Sequence, residues 1–288
     1  MKISIERIPL KEVEQKDCLT SYLEQEEPFI LTGVISNTSQ LTPEYIRNRF
    51  EKETHKDLGW YNSELVEDDN IVVPDVIKYA MKRPDMFFRE QPMRIFMQPR
   101  GHVTLPHYDG SSLHGFNLQI IGTKRWILTS PHTPLPTIPF MFAGMVSRKF
   151  IYDPRQYDFM EFKTCAGDLL FLPRYWYHEV HALDEINVNL NWVCTPLNPN
   201  EETPLGKREV ELMKLKKIVP FTHRALGKDL SNYGSSSAII FEQYTRNVSN
   251  TRALIRFFKE IIKYPQLFLL LKELKSRANE FANNNFNI

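Results

Sequence analysis

Seven short β-prone runs occupy the middle of the chain, and they constrain its fold more than any other feature. Between about residues 93 and 195, apolar and aromatic runs alternate with turn residues. Strands this short and this regularly interrupted favour an antiparallel sandwich or barrel over parallel βαβ units. The runs are "MRIFMQP", "HGFNLQII", "KRWILTSP", "EFKTCA", "DLLFLP", "WYHEVHAL" and "INVNLNWV".

The segments before and within this series have other patterns. Residues 10–25 show helical spacing of apolar residues, and residues 28–34, "PFILTGV", form a β-prone run that ends at a glycine. Helical turns are predicted at 42–51 and 74–83, each close to a proline. Residues 133–154 contain four prolines and interrupt the β-prone series. They are expected to form a long loop or an insertion.

Beyond Pro199 the pattern becomes helical. Apolar residues recur every three or four positions in 201–218, 235–248, 251–265 and 265–281. The sequence therefore predicts a β-rich domain over residues 1–198, with an N-terminal elaboration, and a helical region over residues 199–288. The last two helices are apolar enough to need a partner surface, which is either the domain itself or a second subunit. A homodimer through these helices is one of the two expectations.

Composition excludes several classes of protein. Lys and Arg number 36 against 35 Asp and Glu, so the net charge of +1 gives no argument for binding nucleic acid or an acidic membrane. The N-terminus lacks the apolar core of a signal peptide, and no stretch approaches the length of a membrane span, so we expect a cytoplasmic protein. Cys18, Cys165 and Cys194 are far apart and form no C-x-x-C motif, which argues against disulfides or a zinc ribbon. Nucleotide-binding and serine-hydrolase motifs are absent from the sequence.

The stretch "TLPHYDG" carries the first candidate for chemistry. His107 and Asp109 lie two residues apart, so on a strand both side chains point to one face and can reach one ion. This triplet alone also fits a structural histidine at a strand edge. A second histidine, His178, follows the run "GDLLFLPRYWYH". Two imidazoles and one carboxylate form the facial triad of non-haem Fe(II) oxygenases.

Four ordered motifs together resemble one protein family. They are H-Y-D, "NLQIIGTKRWIL", "GDLLFLPRYWYH" and "NVNLNW". The pattern is similar to the JmjC or cupin-like Fe(II)/2-oxoglutarate oxygenases, in particular the small hydroxylases typified by the asparaginyl hydroxylase that inhibits hypoxia-inducible factor and by the tRNA wybutosine hydroxylase. The resemblance covers residues 28–34 and 94–196. It implies a mainly β fold with helices around a double-stranded β-helix, or jelly-roll, core in which His107, Asp109 and His178 hold the iron.

The resemblance also implies contacts for the co-substrate. It assigns Lys124 to the distal carboxylate of 2-oxoglutarate, from a strand whose inward-facing set is Lys124, Trp126 and Leu128. It assigns Thr104 to the same carboxylate. Because Thr104 is three residues before His107, a regular strand points it away, and the chain between them must bend or bulge.

Two further contacts are left open at this point. The family's asparagine near the co-substrate and the metal matches Asn189, but Asn191 shares its face. The family often carries another asparagine about ten residues before the lysine. This chain has His114-Gly115 there and reaches Asn117 later, so either His114 or Asn117 serves. An extra histidine near the iron is a further alternative for His114.

The function implied is hydroxylation with Fe(II), 2-oxoglutarate and O2, which yields succinate and carbon dioxide. We favour a protein or peptide side chain as the substrate, because the chain resembles the small hydroxylases. The same chemistry on tRNA or a small metabolite is the first alternative, although a tRNA enzyme needs a concentrated basic groove. A non-catalytic cupin-like binding module is the second, and the complete set of His107, Asp109, His178 and Lys124 argues against it.

Overall fold

The fold is known from a computed structural model of the chain. The structure describes residues 2–16, 19–34, 42–45, 54–55, 60–61, 73–109, 113–133, 137–140, 143–146, 158–196, 249, 251–252, 255, 258–259 and 262.

The chain forms two compact units. The first comprises Met1–Thr133 and Asp153–Asn200, and the second comprises Pro134–Tyr152 and Glu201–Ile288. The division at residues 198 and 199 that we inferred from the sequence stays a prediction.

Strands dominate the described part of the chain. In chain order they are β1 (Lys2–Ile3), β2 (Glu6–Pro9), β3 (Phe29–Thr32), β4 (Thr54–His55), β5 (Trp60–Tyr61), β6 (Met86–Pro99), β7 (Val103–Asp109), β8 (His114–Ile121), β9 (Lys124–Thr129), β10 (Thr137–Phe140), β11 (Ala143–Val146), β12 (Phe159–Thr164), β13 (Leu169–Leu172), β14 (Tyr177–Ala182) and β15 (Ile186–Pro196). The helices are α1 (Leu10–Lys16), α2 (Leu19–Gln25) and α3 (Asp75–Met81).

Two sheets build the first unit. One has the order β2-β3-β13-β8-β15-β6, and the other includes β1, β12, β9, β14 and β7 as successive neighbours. Pairing is antiparallel except between β1 and β12 and between β2 and β3, where the short N-terminal strands add in parallel. The non-sequential strand order is that of a jelly roll, and the predicted fold class, mainly β with a jelly-roll core, is confirmed.

An inner core lies between the two sheets. Its buried side chains come from β9 and β14 in one sheet and from β3 and β13 in the other, with Trp176 beside them. Because successive strand residues point to opposite faces, the same strands also present a second, outward set. The inner core consists of Ile30, Trp126, Leu128, Leu170, Leu172, Trp176 and Val180.

An outer core forms where α1, α2 and α3 cover the outward face of the sheet with the order β2-β3-β13-β8-β15-β6. The helices contribute apolar residues at helical spacing, such as Leu19 and Leu23 of α2 and Val76, Ile77 and Ala80 of α3. They pack on strand residues that alternate with the inward set. Those strand residues include Phe29, Leu31, Ile95, Met97, Phe116, Leu118, Phe171, Leu190 and Trp192.

The turn between β8 and β9 requires a glycine. Gly122 has φ +74°, and a Cβ there would lie 2.4 Å from the main-chain oxygen of Ile186. Only a residue without a side chain fits this close approach. The turn fixes the start of β9, and therefore the place of Lys124 on its strand.

Most local predictions agree with the structure. All seven β-prone runs contain strands, and residues 28–34 contain β3, which ends at Thr32, just before Gly33 with φ +78°. Helices appear within 10–25 and 74–83. At 42–51 only residues 42–45 are described, and there the main-chain N–H of Tyr45 donates to the hydroxyl of Thr42.

Other predictions are changed or lie elsewhere. The expected loop or insertion at 133–154 contains regular structure, because β10 and β11 pair as an antiparallel hairpin within it. The predicted helices beyond Pro199 lie outside the described residues, apart from helical positions between 251 and 259. Among the helices that the structure describes, none combines the length and apolarity needed to cross a membrane.

Candidate metal centre

Strand pairing brings His107 and His178 face to face. β7 and β14 run antiparallel, and the two histidines lie directly across from each other in the register. Residues opposite each other in an antiparallel pair share a face of the sheet. Asp109, two positions after His107 on β7, shares that face as well. The sheet thus assembles three side chains that are distant in the sequence.

The three side chains converge on one point. Their candidate ligand atoms all lie within 4.8 Å of one another. His107 Nε2 is 3.6 Å from Asp109 Oδ1, and the two imidazole centroids are 4.2 Å apart with their planes inclined at 53°. In the described part of the chain, this is the only group of three His, Cys, Asp or Glu side chains close enough to share an ion.

The protonation states of these groups suit a cation. Burial, with a smaller contribution from His107, lowers the pKa of His178 to about 4, so its imidazole is neutral near pH 7. Burial opposes ionisation of Asp109, but the hydrogen bond from His107 and the nearby imidazoles outweigh it and hold the pKa of that carboxyl well below its usual range. Metal binding requires neutral imidazole and ionised carboxylate, and His178 and Asp109 are in these forms.

A main-chain carbonyl orients His178. Its Nδ1 lies 3.0 Å from the oxygen of Trp176. A neutral imidazole carries one N–H and a carbonyl only accepts, so we place the hydrogen on Nδ1. The lone pair of Nε2 then remains for a ligand bond, as is common for metal-binding histidines.

The donor set fits Fe(II). Two imidazole nitrogens and one carboxylate oxygen are the ligands of non-haem Fe(II) oxygenases, and they leave coordination positions for a co-substrate and dioxygen. Cys165 and Cys194 are free thiols outside this cluster, so a thiolate-bound metal is not indicated.

Lys124 is a buried cation on the inner side of the same sheet. It is 3% exposed, and Trp126 and Leu128 are also buried, as predicted for the inward set. Its Nζ donates to Oδ1 of Asn189, and burial lowers its pKa to about 7. Within the described residues no carboxylate forms an ion pair with it. An ammonium has three donors, so this side chain has capacity left for an anion.

A bulge in β7 turns Thr104 toward the same face. Thr104 lies across from Val180, whereas His107 lies across from His178. Three steps along β7 therefore match two steps along β14, and one extra residue lies between Thr104 and His107. The bend that the sequence required at this place is present. Because Val180 and His178 share a face, Thr104 shares it too.

Hydrogen bonds distinguish the candidate asparagines. Asn189 contacts Lys124, whereas Asn191 Nδ2 donates to Oδ1 of Asn117 at 2.8 Å. Asn191 and Asn117 lie directly across from each other on β15 and β8. Both of them and Asn189 are buried. Asn189 is therefore the asparagine beside Lys124, and Asn117 belongs to a second amide pair.

His114 lies in a different environment. Its Nδ1 accepts a hydrogen bond of 3.2 Å from the main-chain N–H of Arg174. Its ring stacks on Phe171, a residue of the outer core, with centroids 5.5 Å apart. It is not part of the triad cluster. The structure thus separates His114 from the other candidates for the site.

A sequence family described as a cupin-like domain matches residues 53–196, which is half of the chain. The chain belongs to the cupin-like domain family. The matched range contains the triad, Lys124 and all of the candidate asparagines. The resemblance drawn from the four motifs is confirmed at this level.

Curated relatives of this cupin-like chain match parts of it. HSPB1-associated protein 1 from Bos taurus is 30% identical over 148 residues, which cover 46% of this chain and 30% of that protein. The 2-oxoglutarate and iron-dependent oxygenase JMJD4 from Gallus gallus is 31% identical over 111 residues, covering 34% and 26% respectively. The bifunctional lysine-specific demethylase and histidyl-hydroxylase NO66 from Drosophila pseudoobscura pseudoobscura is 35% identical over 81 residues, covering 28% and 8%. The matched segments therefore span less than a third of the length of each of these relatives.

Sequence reasoning missed Arg94 in this cupin-like barrel. On β6 it lies directly across from Asn191, and its charge contributes to the lowered pKa of Asp109. The alternation within "MRIFMQP" was the available signal. Ile95 and Met97 pack in the outer core, so Arg94 and Phe96 fall on the inner face.

Proposed function

We propose that the chain is an Fe(II)- and 2-oxoglutarate-dependent oxygenase that hydroxylates a protein side chain. The observation that carries this proposal is the convergence of His107, Asp109 and His178 within 4.8 Å of one another. A relative whose name describes a 2-oxoglutarate and iron-dependent oxygenase supports the choice of metal and co-substrate.

The protein's part in this reaction is to bind, orient and exclude water. When bound, Fe(II) and 2-oxoglutarate supply the oxidation, in which one atom of O2 enters a substrate C–H bond and the other enters succinate, with release of carbon dioxide. His107, Asp109 and His178 would hold the ion from one side, so that the reacting groups approach it from the other.

Lys124 would bind the distal carboxylate of 2-oxoglutarate. Its ammonium is buried and donates to Asn189, whose amide oxygen holds the side chain in place. Burial removes the ammonium from water and lowers its pKa to about 7. A carboxylate bound beside it would supply an opposite charge and raise this pKa. Thr104, turned inward by the bulge in β7, would donate its hydroxyl to the same carboxylate.

Apolar walls would keep water from the reacting groups. Trp126, Leu128 and Val180 stand on the same inner face as Lys124 and His178, and Leu170 and Leu172 face them from the other sheet. In such a dry environment each charge interaction is stronger than in water. The inner core thus serves binding as well as folding.

A protein side chain is the substrate that we favour. The name of one relative describes a lysine-specific demethylase and histidyl-hydroxylase, and the name of another describes association with HSPB1. Both names point to proteins as partners. The same chemistry on tRNA or a small metabolite is the alternative, and a non-catalytic binding module is the other.

Spectroscopy and turnover test the proposed chemistry. Apoprotein mixed anaerobically with Fe(II) and 2-oxoglutarate should develop the weak visible charge-transfer band of a chelated keto acid. Admission of O2 should then yield succinate. Folded protein that gives neither the band nor succinate would favour the binding module.

Mass spectrometry tests the substrate. Because the predicted location is cytoplasmic, we would incubate the enzyme with a cytosolic extract and compare samples with and without 2-oxoglutarate. We expect a 2-oxoglutarate-dependent gain of one oxygen atom on a peptide. A gain confined to tRNA nucleosides would overturn the preference for protein.

We propose that the C-terminal region mediates a homodimer. Ile255 and Phe258 are helical positions exposed by 52% and 51%, and Ile262, in the turn whose N–H donates to the Phe258 oxygen, is exposed by 78%. Their spacing of three and four residues places them on one side. Charge on this side would oppose association, so Ile255→Glu with Ile262→Glu should convert a dimer to a monomer. Light scattering coupled to size exclusion measures this, with Lys163→Glu, an exposed position of the first unit, as the control. A wild-type monomer would contradict the proposal.

A further inference from the structure

The turn Pro173–Trp176 connects the metal centre to the N-terminal part of the chain. The main-chain oxygen of Trp176 accepts the hydrogen bond from His178 Nδ1 at 3.0 Å. The indole Nε1 of the same residue donates to the main-chain oxygen of Glu26 at 3.1 Å. One buried residue therefore joins a candidate metal ligand to the segment that follows α2.

Glu26 also holds this turn through its side chain. Arg174 Nε donates to Oε2 of Glu26 at 3.0 Å, and Arg174 Nη2 lies 2.7 Å from Oε1. This is the two-pronged geometry in which arginine binds a carboxylate most specifically. Arg174 is buried, whereas the Glu26 side chain is 36% exposed, so the pair lies at the border between the interior and solvent. Glu26 thus binds both residues that flank Tyr175.

The backbone at both ends of this contact is in an uncommon conformation. Tyr175 has φ +66° and Glu26 has φ +51°. Residues other than glycine rarely adopt positive φ, and they keep it only where the surrounding contacts impose it. Local preference alone would not hold the Trp176 carbonyl where it is. The contacts to Glu26 supply part of the constraint, together with the hydrogen bond from the Arg174 N–H to His114 Nδ1 and the edge contact of Tyr175 with Tyr108.

We propose that Glu26 is a positioning residue for the metal centre, fixing the Pro173–Trp176 turn so that the Trp176 carbonyl orients the imidazole of His178. This inference rests on the proposed function of the triad as an iron site. Partners that hold a metal-binding histidine through its second nitrogen set the ring's tautomer and direction. Glu26 lies outside the range that matches the cupin-like family, whereas the turn and His178 lie inside it, so the N-terminal segment supplies one side of this contact.

The ion pair can be removed without leaving a lone buried charge. Replacing one partner alone would strand the other, whereas replacing both with apolar residues of similar length is often tolerated. The double variant Glu26→Met with Arg174→Met therefore removes the side-chain contact and spares the fold. Trp176→Phe is the second variant, because it removes the indole donor, with part of the ring that packs in the inner core, and leaves the main-chain oxygen.

Co(II) binding to the apoprotein reads out the role of Glu26. Titration followed by visible absorption gives both the dissociation constant and a spectrum sensitive to ligand geometry. We expect each variant to bind Co(II) roughly 10–100-fold more weakly than the wild type, the range typical for loss of such a partner. Turnover should fall at limiting Fe(II) and recover with excess Fe(II).

Trp192→Phe is the matched control. Trp192 is as deeply buried as Trp176, but it packs in the outer core away from the triad. We expect it to lower the melting temperature and to leave the Co(II) affinity and spectrum unchanged. A loss of affinity equal to that of Trp176→Phe would show that general destabilisation explains the effect.

The outcomes separate this inference from the proposed function. Wild-type Co(II) affinity and spectrum in both the double variant and Trp176→Phe would overturn the role of Glu26 and leave the iron site standing. A wild-type protein that binds neither Co(II) nor Fe(II) would overturn both. If the double variant does not fold, Trp176→Phe with its control still decides the question.

Discussion

Replacing His178 with alanine should abolish succinate formation while the protein stays folded. His178 supplies one of three ligand atoms, and its removal leaves two donors on one strand. Losing a partner of a ligand costs roughly 10–100-fold in metal affinity or activity, so loss of a ligand itself should cost more than about 100-fold. Asp109→Ala should have the same effect, because it also removes the charge that balances the ion. Succinate assays with saturating 2-oxoglutarate measure both.

The control for this experiment is a histidine away from the cluster. His132 is exposed, and His132→Ala should retain wild-type turnover. Circular dichroism and the melting temperature establish that each variant is folded. Turnover that survives in folded His178→Ala and Asp109→Ala would show that the metal is bound elsewhere.

The barrel was predictable because its signals are local. Each β-prone run is short, is bounded by turn residues and forms its strand in the expected place. The bulge before His107 was expected because the resemblance assigned Thr104 to the same site, and Thr104 and His107 can share a face only if the strand gains a residue. The hairpin of β10 and β11 was hidden because prolines in 133–154 indicate a loop.

Parallel additions at the sheet edges were not predictable. β1 pairs with β12 and β2 pairs with β3, yet neither two- to four-residue segment has a pattern of its own. Pairing between segments so distant in sequence depends on the rest of the sheet being in place. Strand propensity, which depends on this context, gives no signal for it.

Some residues of the candidate site were also predictable from local patterns, and others were not. The H-x-D triplet indicates His107 and Asp109 through their local spacing. The residues that support the turn before His178 come from distant parts of the chain, and no local pattern indicates them. Glu26 and Arg174 are charged, and charged residues are usually exposed, so nothing in the sequence indicates that Arg174 is buried and paired with a half-buried Glu26. Lys124 is buried against the same expectation, and only the motif around it indicated its place.

Lys124→Met should raise the KM for 2-oxoglutarate and increase the thermal stability of the apoprotein. Removing one partner of a buried charge pair costs about 3–5 kcal/mol. At about 1.4 kcal/mol per factor of ten, the KM for 2-oxoglutarate should rise at least about 100-fold. The apoprotein should instead melt a few degrees higher, because the variant no longer buries an ammonium whose described partner is an amide. Calorimetry and succinate kinetics measure the two effects.

The pH dependence of stability gives the variant a second signature. The pKa of Lys124 is about 7 in the folded protein against 10.5 in the unfolded chain. Between these values the unfolded chain holds the proton that the folded protein has lost, so wild-type apoprotein gains stability as pH rises through this window. Lys124→Met lacks this gain. Lys163→Met is the control, because Lys163 is exposed on the neighbouring strand β12 and should behave as the wild type.

The pH dependence of binding should run in the opposite direction. A dicarboxylate bound at Lys124 requires the ammonium, so above pH 7 the protein must take up a proton as 2-oxoglutarate binds. The KM should therefore rise with pH by up to about tenfold per unit in the wild type. In Lys124→Met, which lacks the ammonium, the KM should not show this rise with pH. If stability and affinity change in the same direction with pH, or if Lys124→Met leaves the KM unaltered, Lys124 does not bind the co-substrate.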